Sequence, residues 1–240
     1  MNYIDFTKSI PTIQFPSIHD YKIDGIDQPL VDMTEAGYIC ESMYYYQGIA
    51  GAYKHIYLRE SLAIMLNWAR AQLPAGIDFK LWDGYRPICV QERLWRHYRQ
   101  KVINEHKGEN LTEEEIDFKT SFFVSKPSRD INHPSLHNTG GSIDLTLVTM
   151  DGTELNMGTG FDAFGDKAWT NHFEVYEENE EVRNNRRILY NVMIAAGFTN
   201  LPSEWWHYDY GTKFWGYFTE NNALYNGILD ADLPNRIPIM

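Results

Sequence analysis

The sequence predicts an α+β fold in a single domain spanning residues 1–240, with a central, mostly antiparallel sheet and flanking helices. Two observations carry this expectation. Segments of helical and strand-like periodicity follow one another without a βαβ rhythm, and no break in composition, repeat or low-complexity tract divides the 240 residues.

Taken in order, residues 1–50 carry Pro11, Pro16, Gly25, Pro29, Gly37 and Gly48 among short apolar runs. They read as an irregular arm with brief strands that wraps the core. From Leu58 the apolar positions Leu62, Met65, Leu66, Ala69 and Leu73 recur at spacings of three and four, which predicts a helix that Pro74-Ala75-Gly76 ends. Ile77 to Trp82 reads as a strand, and Asp83-Gly84 turns the chain into Tyr85-Arg86-Pro87. Pro87 suits a first helical position, and Leu94, Trp95, Tyr98, Val102 and Ile103 give the next helix an apolar face. Arg86 therefore stands at a strand-to-helix junction. Thr112-Glu113-Glu114-Glu115 has the form of a capping box and opens a short helix through about Phe122.

Between Ser142 and Val148 the residues alternate, with Ile143, Leu145 and Leu147 on one side and Ser142, Asp144 and Thr146 on the other. Asp151-Gly152 is a turn, and Met157 to Gly165 is a glycine-studded loop. A further helix covers Glu180 to Ala196, with Ile188, Leu189, Val192, Met193 and Ala196 as its buried stripe and Gly197 as its stop. Its acidic start, Glu177 to Glu181, reads as solvated. The aromatic bias of Glu204-Trp205-Trp206-His207-Tyr208-Asp209-Tyr210 predicts a last strand.

Composition narrows the function. A net charge of −12 argues against a nucleic-acid groove or an anionic membrane surface, both of which draw on clustered Lys and Arg. No apolar run reaches the roughly 18 residues of a membrane span, and Met1 to Ser9 lacks a basic region followed by an apolar one, so a soluble, unexported, cytoplasmic chain is expected. Cys40 and Cys89 sit in apolar surroundings without metal-type spacing and read as buried free thiols. Oligomeric state is silent.

The chemistry begins at Ser135-Leu136-His137-Asn138-Thr139-Gly140-Gly141-Ser142-Ile143-Asp144. Asp144 projects from the polar side of a rigid strand, and the two glycines give the freedom to bring His137 round to it. A His near an Asp is most often a hydrogen-bonded structural pair, but Glu204 and His207 add a second imidazole and a second carboxylate. Two imidazoles and one carboxylate form a zinc site with an open position for water, the remaining carboxylate acting on that water. Were Glu204 also a ligand, the site would be closed and structural. On a regular strand residues three apart face opposite sides, so Glu204 and His207 share a site only where the strand begins near Trp205 or bulges there. On spacing alone, a metal site and a structural cluster of polar and aromatic residues both stand.

These segments resemble the S-x-H-x-x-G-x-A-x-D zinc signature and the E-W-W-H segment of the D-Ala-D-Ala dipeptidases of the vancomycin-resistance (VanX) type. Asp83-Gly84-Tyr85-Arg86-Pro87 is similar to their D-x-Y-R-P turn. The Met157 to Asp162 loop and Asn185-Arg186 fit in the same order, so the matches run from about Leu58 to Gly211. The resemblance implies a hedgehog/D,D-peptidase-like fold and one Zn2+ per chain held by His137, Asp144 and His207. It implies Glu204 as general base and then acid, Arg86 as stabiliser of developing negative charge, and Ser135 and Asp162 as substrate-binding residues. Ser142 departs from the signature's alanine, and Tyr44 to Tyr57 matches weakly.

Each role has a plainer rival. Arg86 also suits a helix-start salt bridge and Asp162 an Asx-type turn. His133 and His172 lack ligand spacing, and Tyr44-Tyr45-Tyr46 reads as a substrate wall or as core packing. The implied reaction is hydrolysis of a small dipeptide, D-alanyl-D-alanine, with a D,D-carboxypeptidase acting on peptidoglycan stem peptides as the alternative. A zinc-stabilised, non-catalytic binding module is the rival from outside enzymes, and it has no need of an unligated Glu204.

Overall fold

The alternating run that begins at Ser142 becomes the middle strand of the main sheet, and the other elements are placed by their pairing with it. The computed structural model describes residues 4–14 and 21–230. In chain order the elements are β1 (Leu30–Asp32), β2 (Ile39–Cys40), α1 (Met43–Tyr46), β3 (Tyr57–Arg59), α2 (Glu60–Gln72), β4 (Ile77–Asp83), α3 (Ile88–Glu105), α4 (Glu113–Thr120), β5 (Ser142–Thr149), α5 (His172–Val175), α6 (Glu180–Ala195), β6 (Thr199–Asn200), β7 (His207–Asp209) and α7 (Lys213–Thr219). The five-stranded sheet runs β2-β4-β5-β7-β6, antiparallel except for the β2–β4 pair, so the fold is α+β with a mostly antiparallel sheet as the sequence predicts. A separate antiparallel ribbon pairs β1 with β3.

The apolar side of β5 builds the core. Ile143, Leu145 and Leu147 are fully buried, with Leu81 and Phe79 of β4 opposite Leu145 and Leu147. Leu62, Leu66 and Ala69 of α2 and Leu189, Val192 and Met193 of α6 belong to the same cluster. Burying a leucine side chain stabilises the fold by about 1.5–3 kcal/mol, which makes these two helices the main clamp on the sheet. The polar side of β5 is buried as well: Ser142, Asp144 and Thr146 are all enclosed. This is the side that carries the site.

Local signals hold where they are short-range. Thr112 and Glu115 form the capping box reciprocally, at 3.2 and 2.8 Å. Helix α2 stops at Gln72, and Leu73 before Pro74 takes the extended conformation that a following proline favours (ψ 149°). Pro87 is the N-cap of α3, one position outside the helix instead of its first residue. Gly197, with φ +97°, follows α6.

Three expectations are corrected. Leu58 lies in β3, paired with Val31, and the helix begins at Glu60. A buried leucine satisfies either pattern, and the long-range partner β1 decides between them. The strand expected over Glu204 to Tyr210 is reduced to His207–Asp209. The chain turns upstream of it, where the Glu204 N–H donates to Leu201 O and the His207 N–H to Glu204 O. Cys40 and Cys89 are free thiols but half-buried.

Residues of the N-terminal segment are tied to distant elements. The Ile10 N–H donates to Glu174 Oε1 and Asn191 Nδ2 to Lys8 O, while the N–H groups of Asp24 and Ile26 donate to Ala223 O and Leu224 O. Pro16 and the rest of 15–20, residues 1–3 of the arm, and 231–240 at the other end of the expected domain lie outside the described residues. Among the described residues no helix is long and apolar enough to cross a membrane.

Candidate active site

Strand register assembles the site. Asp144 of β5 is paired with His207 of β7 on one side and with Asp83 of β4 on the other. The second pairing depends on a bulge: Leu81 faces Leu145, yet Asp83 rather than Trp82 faces Asp144. One extra residue in β4 thus turns Asp83 to the polar side. A second row, Ser142 opposite Asp209, lies one pleat along.

His137 comes from outside the sheet, on a 3-10 turn spanning His137–Thr139 that closes with Gly140 in the left-handed region, φ +71°. Gly141 is required for space: a Cβ there would sit 2.7 Å from Tyr210 O. The glycine pair thus brings His137 to Asp144 as the sequence suggests. His137 Nε2 lies 3.3 Å from Asp144 Oδ2 and 3.1 Å from His207 Nδ1, and His207 Nδ1 lies 3.0 Å from Asp144 Oδ1. All three residues are buried, and their ligand-type atoms lie within 4.8 Å of one another.

This donor set fits a metal ion. His137 Nδ1 is 2.8 Å from the Gly84 carbonyl, which can only accept, so Nδ1 carries the proton and Nε2 offers a lone pair. His207 Nε2 is likewise held by Asp209 Oδ2 at 3.1 Å. When the imidazoles are neutral, two nitrogen lone pairs and a carboxylate oxygen converge, an arrangement that needs a cation. Tetrahedral coordination with bonds of about 2.0–2.1 Å has edges of roughly 3.3–3.4 Å, close to the spacings here. The surrounding charge agrees, because the carboxylates of Asp83, Asp144, Asp209, Asp162 and Glu204 outnumber the Arg86 guanidinium. Burial opposes the charge on His207, but Asp209 and Asp144 outweigh it and raise its pKa well above the ordinary value. Burial also works against the charge on Asp144, and His137 and His207 nevertheless hold its carboxyl well below the usual range. A cation at this place therefore competes with protons.

The other nominated residues line the same cleft, a cavity of about 60 Å³ walled by Ser135, His137, Asp144, Asp162, Glu204, His207 and Arg86. The turn before β7, instead of a continuous strand, allows Glu204 to share it with His207. Burial raises the pKa of Glu204, with the charge on Asp144 adding and His207, His137 and Arg86 opposing. Arg86 makes the salt bridge that the sequence allowed: its guanidinium is ion-paired with Asp83 Oδ2 at 2.8 Å from Nε and 2.7 Å from Nη2, and it also stands in the cleft 3.9 Å from Asp144 Oδ2. Nη1 is held by Gln91 Oε1 at 2.9 Å. Asp162 has φ +54°, and its carboxylate faces the cleft, where it accepts a 2.9 Å bond from Tyr44 Oη. Burial pushes its pKa up to about 7, with Asp144 and Glu204 adding and Arg86 opposing.

Sequence reasoning left Tyr44 between wall and core. It is buried, stacks under Arg86 at 4.6 Å, and bridges Arg86 and Asp162, while Tyr45 and Tyr46 are exposed. Asp83, Gln91 and Asp209 carried no assigned role. Asp83 was legible only as part of the D-x-Y-R-P turn, and nothing local marks the other two. His133 is exposed beside Asp130, His172 packs on Phe173 and Tyr176, and neither lines the cleft.

Comparison with known proteins shows the family. Residues 35–223 match the family model described as D-ala-D-ala dipeptidase. The chain is 33% identical over 152 residues to a D-alanyl-D-alanine dipeptidase of Enterococcus faecalis, covering 61% of this chain and 70% of that one. Against the Enterococcus faecium enzyme of the same name it is 32% identical over 163 residues, covering 67% and 72%. Against that of Synechocystis it is 27% identical over 176 residues, covering 67% and 71%. Among solved structures it is similar to VanYB in complex with D-Alanine-D-Alanine, at 19% identity, 65% and 72% coverage and a TM-score of 0.29. With the family model spanning most of its length, the chain belongs to the D-Ala-D-Ala dipeptidase family and is a hydrolase of that zinc metallopeptidase class.

Proposed function

We propose that the chain, acting as one domain, hydrolyses D-alanyl-D-alanine to D-alanine at a zinc ion held by His137, Asp144 and His207. The observation that carries this reading is the convergence of two imidazole nitrogens and a carboxylate beside the Glu204 carboxylate, which takes no hydrogen bond from the described residues. Zinc, when bound, supplies a lowered pKa for its water and a polarised scissile carbonyl.

The chain's own groups do the rest. Glu204 accepts the proton of the attacking water and delivers it to the leaving amine; its burial raises its pKa and so makes it the stronger base. Arg86, kept charged by Tyr44, Asp83 and Asp144 against the cost of burial, faces the negative charge that develops on the substrate oxygen. Asp162, oriented by Tyr44, receives the substrate ammonium, and Ser135 offers a hydroxyl to the substrate from the His137 side of the cleft.

A carboxylate at the amino end suits a free dipeptide better than a stem peptide, whose chain would continue past Asp162 without a charge. Free D-Ala-D-Ala assayed beside a longer peptide with the same ending tests this. Faster cleavage of the dipeptide is expected, and faster cleavage of the longer substrate would make the protein a D,D-carboxypeptidase. Purified protein is expected to hold about one zinc per chain; full activity in its absence defeats the reading.

A further inference from the structure

A second cavity, of about 470 Å³, opens off the catalytic cleft. The two share Phe123, Val124, Ser125, Leu136, Leu201, Asp162 and Glu204 as common wall, and beyond it the larger chamber is lined by residues that include Ala163, Phe164, Trp206 and Phe214. None of His137, Asp144, His207, Arg86 and Ser135 borders it. The chamber therefore opens beside the His137–Asp144–His207 group without touching it, and has Asp162 and Glu204 in its wall.

On the reading given above, on which this inference rests, the substrate ammonium meets Asp162 and the scissile carbonyl lies within reach of Glu204. The Cα of the first residue is the atom between those two groups. Both carboxylates wall the chamber as well as the cleft, so the chamber is the room that opens to a side chain on that Cα. D-Alanine would place only a methyl group there and leave an aromatic wall facing water. We propose that the chamber is a side-chain subsite and that the enzyme takes dipeptides whose first residue is large and apolar, of the D-leucyl or D-phenylalanyl kind, in preference to D-Ala-D-Ala. Each methylene buried there is worth about fourfold, which sets the scale of the preference.

The test compares kcat/KM of the zinc-loaded enzyme for D-Ala-D-Ala and D-Leu-D-Ala. D-Leu-D-Ala, with three more carbons to bury, is expected to be cleaved about 10–60-fold more efficiently, the upper figure being full burial. Ala163→Leu, which fills the chamber, is expected to lower kcat/KM for D-Leu-D-Ala far more than for D-Ala-D-Ala and so to remove that advantage. Phe164→Ala opens the wall at a residue already 43% exposed and is expected to reduce the preference too, which keeps the test valid if the filled variant fails to fold. Calorimetric binding of both dipeptides to zinc-loaded Glu204→Gln protein reads the same preference without turnover. Slower cleavage of D-Leu-D-Ala than of D-Ala-D-Ala by the unaltered enzyme overturns the subsite, as does an equal effect of both variants on the two substrates. Failure to cleave any D,D-dipeptide would instead overturn the proposed function.

Discussion

Ser142 Oγ donates a 2.6 Å hydrogen bond to Asp209 Oδ1, while the other oxygen of Asp209 lies 3.1 Å from His207 Nε2. The hydroxyl that departs from the zinc signature is therefore linked through Asp209 to the His137–Asp144–His207 group. Both partners are fully buried and directly paired across β5 and β7. Losing a partner behind a ligating histidine typically costs 10–100-fold in metal affinity or activity. Asp209→Asn is expected in that range by chelator competition, and Ser142→Ala at its lower end. Unchanged zinc affinity in both would reduce the pair to packing.

On the proposed mechanism Glu204 is expected to be separable from metal binding. Glu204→Gln keeps the shape and removes the base, so zinc content is expected to stay near one per chain while kcat falls by about 10²–10⁴-fold. Metal analysis beside steady-state kinetics checks this, and loss of zinc with activity would make Glu204 a ligand.

Asp162 sets a pH limb. Its pKa is raised from the ordinary 3.8 to about 7, so below that pH it is uncharged and holds an ammonium poorly. The kcat/KM for dipeptide is expected to rise with pH through about 7, and Asp162→Asn is expected to flatten that limb and raise KM. The stability sign is opposite. The folded state binds this proton more tightly than the unfolded one, so the stability it confers is complete below about pH 4 and is lost as pH rises through about 7. Above that pH, Asp162→Asn is expected to melt higher than the unaltered protein.

Gly84 links the fold to the metal group. Its carbonyl accepts from His137 Nδ1, and a Cβ on it would lie 2.6 Å from Tyr57 O and 2.9 Å from Ile56 Cγ2. Gly84→Ala is expected to destabilise by roughly 1–3 kcal/mol, as overpacking does, and to weaken zinc binding. Gly160→Ala, where a Cβ meets nothing within 4 Å, is the matched control and is expected to leave both unchanged. Denaturant melts and chelator competition on the two variants decide it.

The sequence by itself determined the elements whose signals are local. The α4 capping box, the stops of α2 and α6 and the alternation of β5 are set by residues within a few positions of one another. The motifs also nominated seven residues that line one cleft, because each lies in a short segment whose pattern is visible in the sequence. Only the tertiary structure decided how those segments meet. The bulge that turns Asp83 under Arg86, the Asp83–Asp144–His207 row and the Ser142–Asp209 pair are matters of register between strands far apart in the chain. Tyr44 reaches Asp162 across 118 residues. Register is fixed by burying one whole face of each strand together, so no residue announces its partner until the sheet has closed. The same limit hid the strand identity of Leu58, the short extent of β7 and the chamber beside Glu204, each of which depends on what packs opposite.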